Sequence, residues 1–166
     1  MEQQYNTEYM EQQPQPKPEF PMKWHKFMIY FSLWAGAVIA LMNAWMYFTG
    51  SHYGDASDAR MVYAFYEGLK PVDVLFGILM LASAVAYIVA RFKLAKLQRS
   101  GVRMVVALPV IMAVLSIGYI FAASGVTGLP VSELMDSSSA GSIVGAIALA
   151  LYNKHYYAER DAILVD

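Results

Sequence analysis

Four long apolar runs divide this chain, and the charges between them gather on alternate sides. The first run, Phe27 to Thr49, reads FMIYFSLWAGAVIALMNAWMYFT. The second runs from Val72 to Ala90, the third from Met104 to Ser124 and the fourth from about Ala140 to Tyr157. Asp73, at one edge, is the sole charge in the first three. Each of these three is near the ~20 residues needed to cross a hydrocarbon core about 30 Å thick. Inside lipid every backbone N–H and C=O must find a partner within the protein, which an uninterrupted helix provides. The expected fold is therefore all-α. It is an integral membrane protein, an antiparallel four-transmembrane-helix bundle with spans at about 27–49, 72–91, 104–124 and 140–157. The wholly apolar part of the fourth run, Ile143 to Leu151, is short. It spans if Ser137 to Ser142 and Asn153 to Tyr157 count with it, and is an interfacial helix otherwise.

The cations set the expected topology. Lys17, Lys23 and Lys26 precede the first run. Arg91, Lys93, Lys96, Arg99 and Arg103 fill the second connection, and Lys154 and Arg160 follow near the C-terminus. The other side carries only Arg60 and Lys70 among the twelve Lys and Arg. Positive residues stay inside, so both termini and the middle connection are expected in the cytoplasm, with the protein in the cell membrane. An even number of crossings agrees with this. The same cationic stretch is a candidate contact for anionic lipid headgroups or an acidic partner, at about 1 kcal/mol per cation near the surface. Its plainer role is to fix topology.

Outside the spans the chain offers little room for another domain. Residues 1–22 form a tail holding five Gln, four Glu and Pro14, Pro16, Pro18 and Pro21. Such a tail favours extended backbone and buries no core; it is expected to be disordered and cytoplasmic. Pro18 to Pro21 fits PxxP, a pattern common by chance. The transmembrane domain is expected over 23–158, with a second tail at 159–166. In the first outer connection Asp55 is placed to cap a helix, with Asp58 in its first turn. Met61, Val62, Phe65, Tyr66 and Leu69 recur at helical spacing, and Gly68 with Pro71 reads as a stop. A short interfacial helix over Ala56 to Glu67 is expected there. The inner connection is expected to continue span two until Ser100-Gly101. The first apolar run starts too late and is too long for a cleavable signal peptide.

Inside lipid, helix association relies on small residues that allow close approach. Gly36, Ala40 and Ala44, then Ala82, Ala86 and Ala90, then Gly118 and Ala122 supply them at spacings of three or four. Gly141, Gly145 and Ala148 do so on the fourth run and are the candidate face for a membrane partner or a homodimer. Pro109 removes one helical hydrogen bond in the third run and favours a bend. Asn43, Ser83, Ser116 and Tyr119 form the expected intramembrane polar cluster. Asn43 is expected to bond to Ser116 or Tyr119, because an unpaired amide in hydrocarbon costs several kcal/mol. The cluster reads either as helix-to-helix glue or as a small pocket open to the outside, with Asp73 at its rim.

Absent residue types narrow the function. With no cysteine there is no disulfide, thiol redox centre or cysteine-held metal. No ionisable residue lies in the middle of a span, where coupled transport usually needs one. HExxH is absent, and neither Ser83 nor Ser116 has a base beside it. His25 and His155, both at the inner edge, could approach each other, but among headgroups and lysines they make a poor haem site. His52 with Asp55 and Asp58 could form a weak outer metal site, a spacing that also arises by chance. No cofactor, metal, catalytic residue or nucleic-acid partner is expected; the expected partner is the bilayer itself.

The segments KWHKFMIYFSLWAGAVIALMNAWMYFTG (23–50) and LKPVDVLFGILMLASAVAYIVARFKLA (69–95), with the late YNKHYYAER (152–160), resemble small four-span membrane proteins of Gram-positive bacteria. Some of those carry an N-terminal zinc ribbon where this chain has its Gln/Pro tail, so that metal site does not carry over. The resemblance implies architecture and membrane location and assigns no activity. The expected function is that of a non-enzymatic accessory, scaffold or sensor protein acting through helix and lipid contacts. The alternatives are a channel or facilitator for a small neutral solute, using the polar cluster with Pro109 as hinge, and a membrane enzyme.

Overall fold

The apolar runs fold as helices, as their composition requires. In a computed structural model describing residues 21–135 and 137–166, the chain is all-helical. Among the described residues six α-helices follow in order: α1 (Lys23–Thr49), α2 (Ala56–Phe65), α3 (Leu69–Ala95), α4 (Arg99–Thr127), α5 (Val131–Leu134) and α6 (Ser137–Ala158). The PxxP pattern and most of the Gln/Pro tail, together with Asp136, lie outside the described residues.

Three of the helices, α1, α3 and α4, are long and apolar enough to cross a membrane, with 27, 27 and 29 residues. Their side chains are distributed as lipid favours. The buried positions of α1 include Ala37, Ala40 and Ala44, whereas Tyr30, Phe31, Met42 and Trp45 are exposed. Small residues thus sit between helices and large apolar ones face outward, because lipid rewards close backbone approach rather than burial of bulk. Gly36 admits the Tyr87 ring, and an added Cβ would lie 2.7 Å from it. Gly77 likewise admits Phe48. The expected stripe is shifted on α3, where Ala82 is exposed while Ser83, Ala84 and Ala90 are buried.

The long helices pack in chain order, α1 on α3, α3 on α4 and α4 on α6. One end, here the terminal end, carries the α3–α4 turn, the start of α1 and the finish of α6. There Trp24 Nε1 donates to Asn153 Oδ1 at 2.9 Å, and His25 Nδ1 lies 3.2 Å from the Tyr157 hydroxyl. A tight apolar core lies in this half, built on Met28, Leu33, Leu94, Val105, Leu108 and Tyr157. At the other end, the loop end, α1 and α6 are separated by cavities.

Three local expectations are corrected. Pro71 does not stop α2; it sits in the first turn of α3, where its missing N–H would have no helical partner anyway. Ser100-Gly101 does not end the extension of α3 either. α3 ends at Ala95, the turn is made by Leu97 in the left-handed region (φ 55°), and Gly101 lies inside α4. A Cβ on Gly101 would sit 2.5 Å from the Leu94 backbone nitrogen, so the close crossing at this turn needs glycine. α2 ends at Phe65 rather than Glu67.

Two features had no counterpart in the sequence reading. Met28–Ser32 forms a π-helical turn within α1, which widens the helix and leaves the Ile29 carbonyl to accept from Arg91 Nε at 3.4 Å. The C-terminal residues dock on the α3–α4 turn: Val165 N donates to Leu97 O at 2.9 Å, and Arg99 N donates to Val165 O at 2.8 Å.

Candidate functional site

Polar chemistry at the loop end converges on Asp73. This residue lies one turn inside α3 and is fully buried. The Tyr63 hydroxyl donates to its Oδ2 at 2.8 Å, and the Tyr119 and Tyr53 hydroxyls donate to Oδ1 at 2.9 and 3.4 Å. His52 Nε2 stands 3.6 Å from Oδ2 and 3.1 Å from the Tyr119 hydroxyl. The Tyr53 and Tyr119 hydroxyls are 2.9 Å apart. A buried carboxylate without partners is costly, and this one is held by donors from three separate segments.

Each donor is placed by local structure. α1 ends at Gly50, whose left-handed backbone (φ 73°) turns the chain into a short 3-10 turn, Ser51–Tyr53. That turn brings His52 and Tyr53 back over the helix end. His52 Nδ1 faces the Met46 carbonyl at 3.1 Å. A carbonyl only accepts, so Nδ1 carries a hydrogen, and Nε2 is the nitrogen left to face Tyr119 and Asp73. Tyr63 is delivered by α2. Asp55 caps that helix by accepting from Ser57 N and Asp58 N, and Asp58 returns the bond to Asp55 N, closing a capping box. These bonds, led by the Ser57 hydroxyl, hold the Asp55 carboxyl below its ordinary range. Burial raises the Tyr53 and Tyr63 hydroxyls well above the ordinary tyrosine value, so both are firm donors at neutral pH.

His52, Tyr53 and Tyr119 also line a cavity of about 430 Å³. The rest of its lining includes Tyr47, Ser116 and Thr127 together with apolar residues such as Val62, Leu69 and Leu134. Asp73 lies behind this wall, not at a rim. A second cavity of about 400 Å³ is lined by Asn43, Ser116, Ser142, Met80 and Met112, and it shares Tyr47, Ser116 and Ser139 with the first. The two form neighbouring chambers between α1, α3, α4 and α6. The tight apolar core of the terminal half lies beyond the methionines.

The expected polar cluster is thus only partly assembled. Asn43 and Ser116 share one chamber, and Ser116 and Tyr119 share the other. Tyr119 gives its side-chain bonds to Asp73, Tyr53 and His52 rather than to Asn43. Ser83 turns back to its own helix, donating to the Leu79 carbonyl at 2.8 Å. His52 faces Asp73, while Asp55 and Asp58 are spent on the cap, so the three do not meet as metal ligands. His25 and His155 are not brought together either, because His155 is exposed and lies 3.3 Å from Glu159. Sequence reading missed Tyr53 and Tyr63 altogether. The signal that could have found Tyr63 is its spacing of four from Ala59, the buried face of α2.

Gly141, Gly145 and Ala148 are exposed on the outward side of α6, and a Cβ on either glycine would meet nothing within 4 Å. The cationic stretch is divided among several tasks. Arg91 lies over the Trp34 and Phe92 rings at 5.6 and 4.9 Å. Arg99 pairs with Asp161 and with Asp166, the latter at 3.3 Å. Lys93, Lys96 and Arg103 form no ion pair among the described residues. No family model, curated protein or solved structure matches this chain.

Proposed function

We propose that the chain is a four-span protein of the cell membrane, with both termini cytoplasmic, that binds a small weakly polar ligand from outside and acts without catalysis, as a sensor or accessory subunit. The observation that carries this is the loop-end pair of chambers, whose lining includes hydrogen-bonding groups, Tyr53 and Tyr119, held in place by buried Asp73. A lining that combines His52, Tyr53, Tyr119 and Ser116 with apolar side chains such as Val62, Leu69 and Leu134 suits a compact, weakly polar ligand. The packed inner half favours a closed binding vestibule over a facilitator's continuous path. Against an enzyme stands the network itself: both oxygens of Asp73 accept from tyrosine hydroxyls, which makes its side chain an anchor of the network.

Four crossings are supported by two contacts. Val165 bonds to the α3–α4 turn, and Trp24 bonds to Asn153, so the start of α1, the turn and the chain end share one side. α6, with 22 residues, is about 33 Å long at ~1.5 Å per residue, enough to cross. Charge bias puts that shared side in the cytoplasm. In this reading α2 lies at the outer interface, where exposed Met61 and Phe65 meet lipid.

The test exploits the absence of cysteine. A single cysteine in place of Asn43 should react in intact cells with a polar, membrane-impermeant thiol reagent, as should an exposed outer control at Glu67. Reaction at residue 67 with none at residue 43 would remove the outward vestibule. The accessory role has its own test: a partner co-purified in mild detergent should be lost in Gly145→Leu. Since a Cβ at Gly145 meets nothing within 4 Å among the described residues, such a loss reports an intermolecular contact.

A further inference from the structure

A further cavity lies away from the Asp73 network, at the terminal end. It is an open groove of about 570 Å³ between α4 and α6. Its floor is apolar, formed by Val102, Val106, Val110 and Ile111 of α4 together with Leu164 from the docked C-terminal segment. At ~1.5 Å per residue, Val102 to Ile111 covers about 14 Å along the helix axis, close to the depth of one leaflet of a ~30 Å hydrocarbon core. Cations line the terminal end of this floor. Arg99, Arg103 and Lys154 all border the groove. Asp161 borders it as well, but its carboxylate is taken by Arg99. Arg103 and Lys154 are exposed and have no ion-pair partner among the described residues.

From this geometry we infer that the α4–α6 groove holds one anionic phospholipid of the cytoplasmic leaflet, its phosphate between Arg103 and Lys154 and an acyl chain along Val102 to Ile111. The occupant follows from two properties that have to occur together. An apolar trough one leaflet deep needs a chain, and two uncompensated cations at its mouth need an anion. A free phosphate would use only the cations, and a neutral lipid only the trough. Basic pockets between spanning helices at the cytoplasmic face are where anionic headgroups gain most. Lys154 also comes from the α6 segment whose polar end makes it a weak span. A headgroup partner there lets its ammonium stay at the interface while its stem lies along lipid. The inference rests on the four-span reading for the side of the membrane and is independent of the outer vestibule.

Native mass spectrometry of the full chain, released from detergent with phosphatidylglycerol or phosphatidylcholine of matched acyl chains, tests it. The expected result is a several-fold excess of bound phosphatidylglycerol, lost in the double variant Arg103→Gln/Lys154→Gln. Ala107→Trp, which fills the trough, should lower retention of lipid while leaving helix content by circular dichroism unchanged. Millimolar inorganic phosphate should not displace the lipid; displacement would mean a free-phosphate site and overturn the proposal. Lys93→Gln/Lys96→Gln, which removes two cations outside the groove, should leave the preference intact. Equal retention of the two lipids by the unaltered chain would overturn the inference. So would an equal loss in both double variants, which would reduce the effect to general surface charge.

Discussion

Asp73 shows how one residue type changes meaning with depth. In the sequence it is a charge at the edge of an apolar run; in the fold it is fully buried and gathers three hydroxyls. Its replacement by Asn keeps the shape but trades an acceptor oxygen for an NH₂ that faces hydroxyls already committed as donors. Asp73→Asn is expected to cost about 1–3 kcal/mol, the range for leaving a buried polar group unsatisfied. It should show as a lower unfolding midpoint in detergent. Tyr63→Phe removes one donor and should cost less, about 1 kcal/mol. Ser83→Ala should be nearly neutral, since Ser83 bonds only its own helix at Leu79. Equal midpoints for all three variants would dissolve the distinction between a network and scattered polar residues. Residue types alone could not reveal this site. His52 and Asp73 are 21 positions apart, and only the Gly50 turn brings them together.

At the scale of elements, what the sequence made legible is what lipid dictates. The positions of α1, α3 and α4 follow from apolar length, and α2 follows from Asp55 and Asp58. Boundaries set by tertiary contact were not legible. The α3–α4 turn depends on Leu97 accepting a left-handed backbone and on Gly101 crossing against Leu94, neither of which has a local signal. The π turn of α1 is equally silent, because its freed carbonyl is served by Arg91 from another helix. Gly101→Ala is expected to destabilise by about 1–3 kcal/mol or more, since backbone atoms cannot yield as side chains do. Gly145→Ala, with open space around it, should leave stability unchanged in the same measurement. α2 should also loosen in acid. The Asp55 carboxyl is held below its ordinary range, so the folded cap stays charged at a pH where the unfolded chain has begun to bind a proton. Its stabilising contribution is therefore full above about pH 4 and is lost as pH falls through the depressed value. Faster hydrogen exchange of the Ser57 and Asp58 amides below pH 4 would register this; unchanged protection would count against the cap.

On the scale of the whole molecule, the terminal half is tied together by Trp24, Asn153, Tyr157 and Val165 and opens sideways only as the α4–α6 groove, while the loop half holds the chambers lined by Asn43, Ser116 and Tyr119. That asymmetry suits a protein that receives something small on one side and keeps the other side closed. It depends on α6 crossing the same membrane as α1, α3 and α4. The most direct measurement is impermeant thiol labelling of intact cells carrying single cysteines at residues 67 and 166. Residue 67 should react from outside, and residue 166 only after the membrane is permeabilised. Labelling of residue 166 in intact cells would place the chain end outside and contradict the four-crossing architecture.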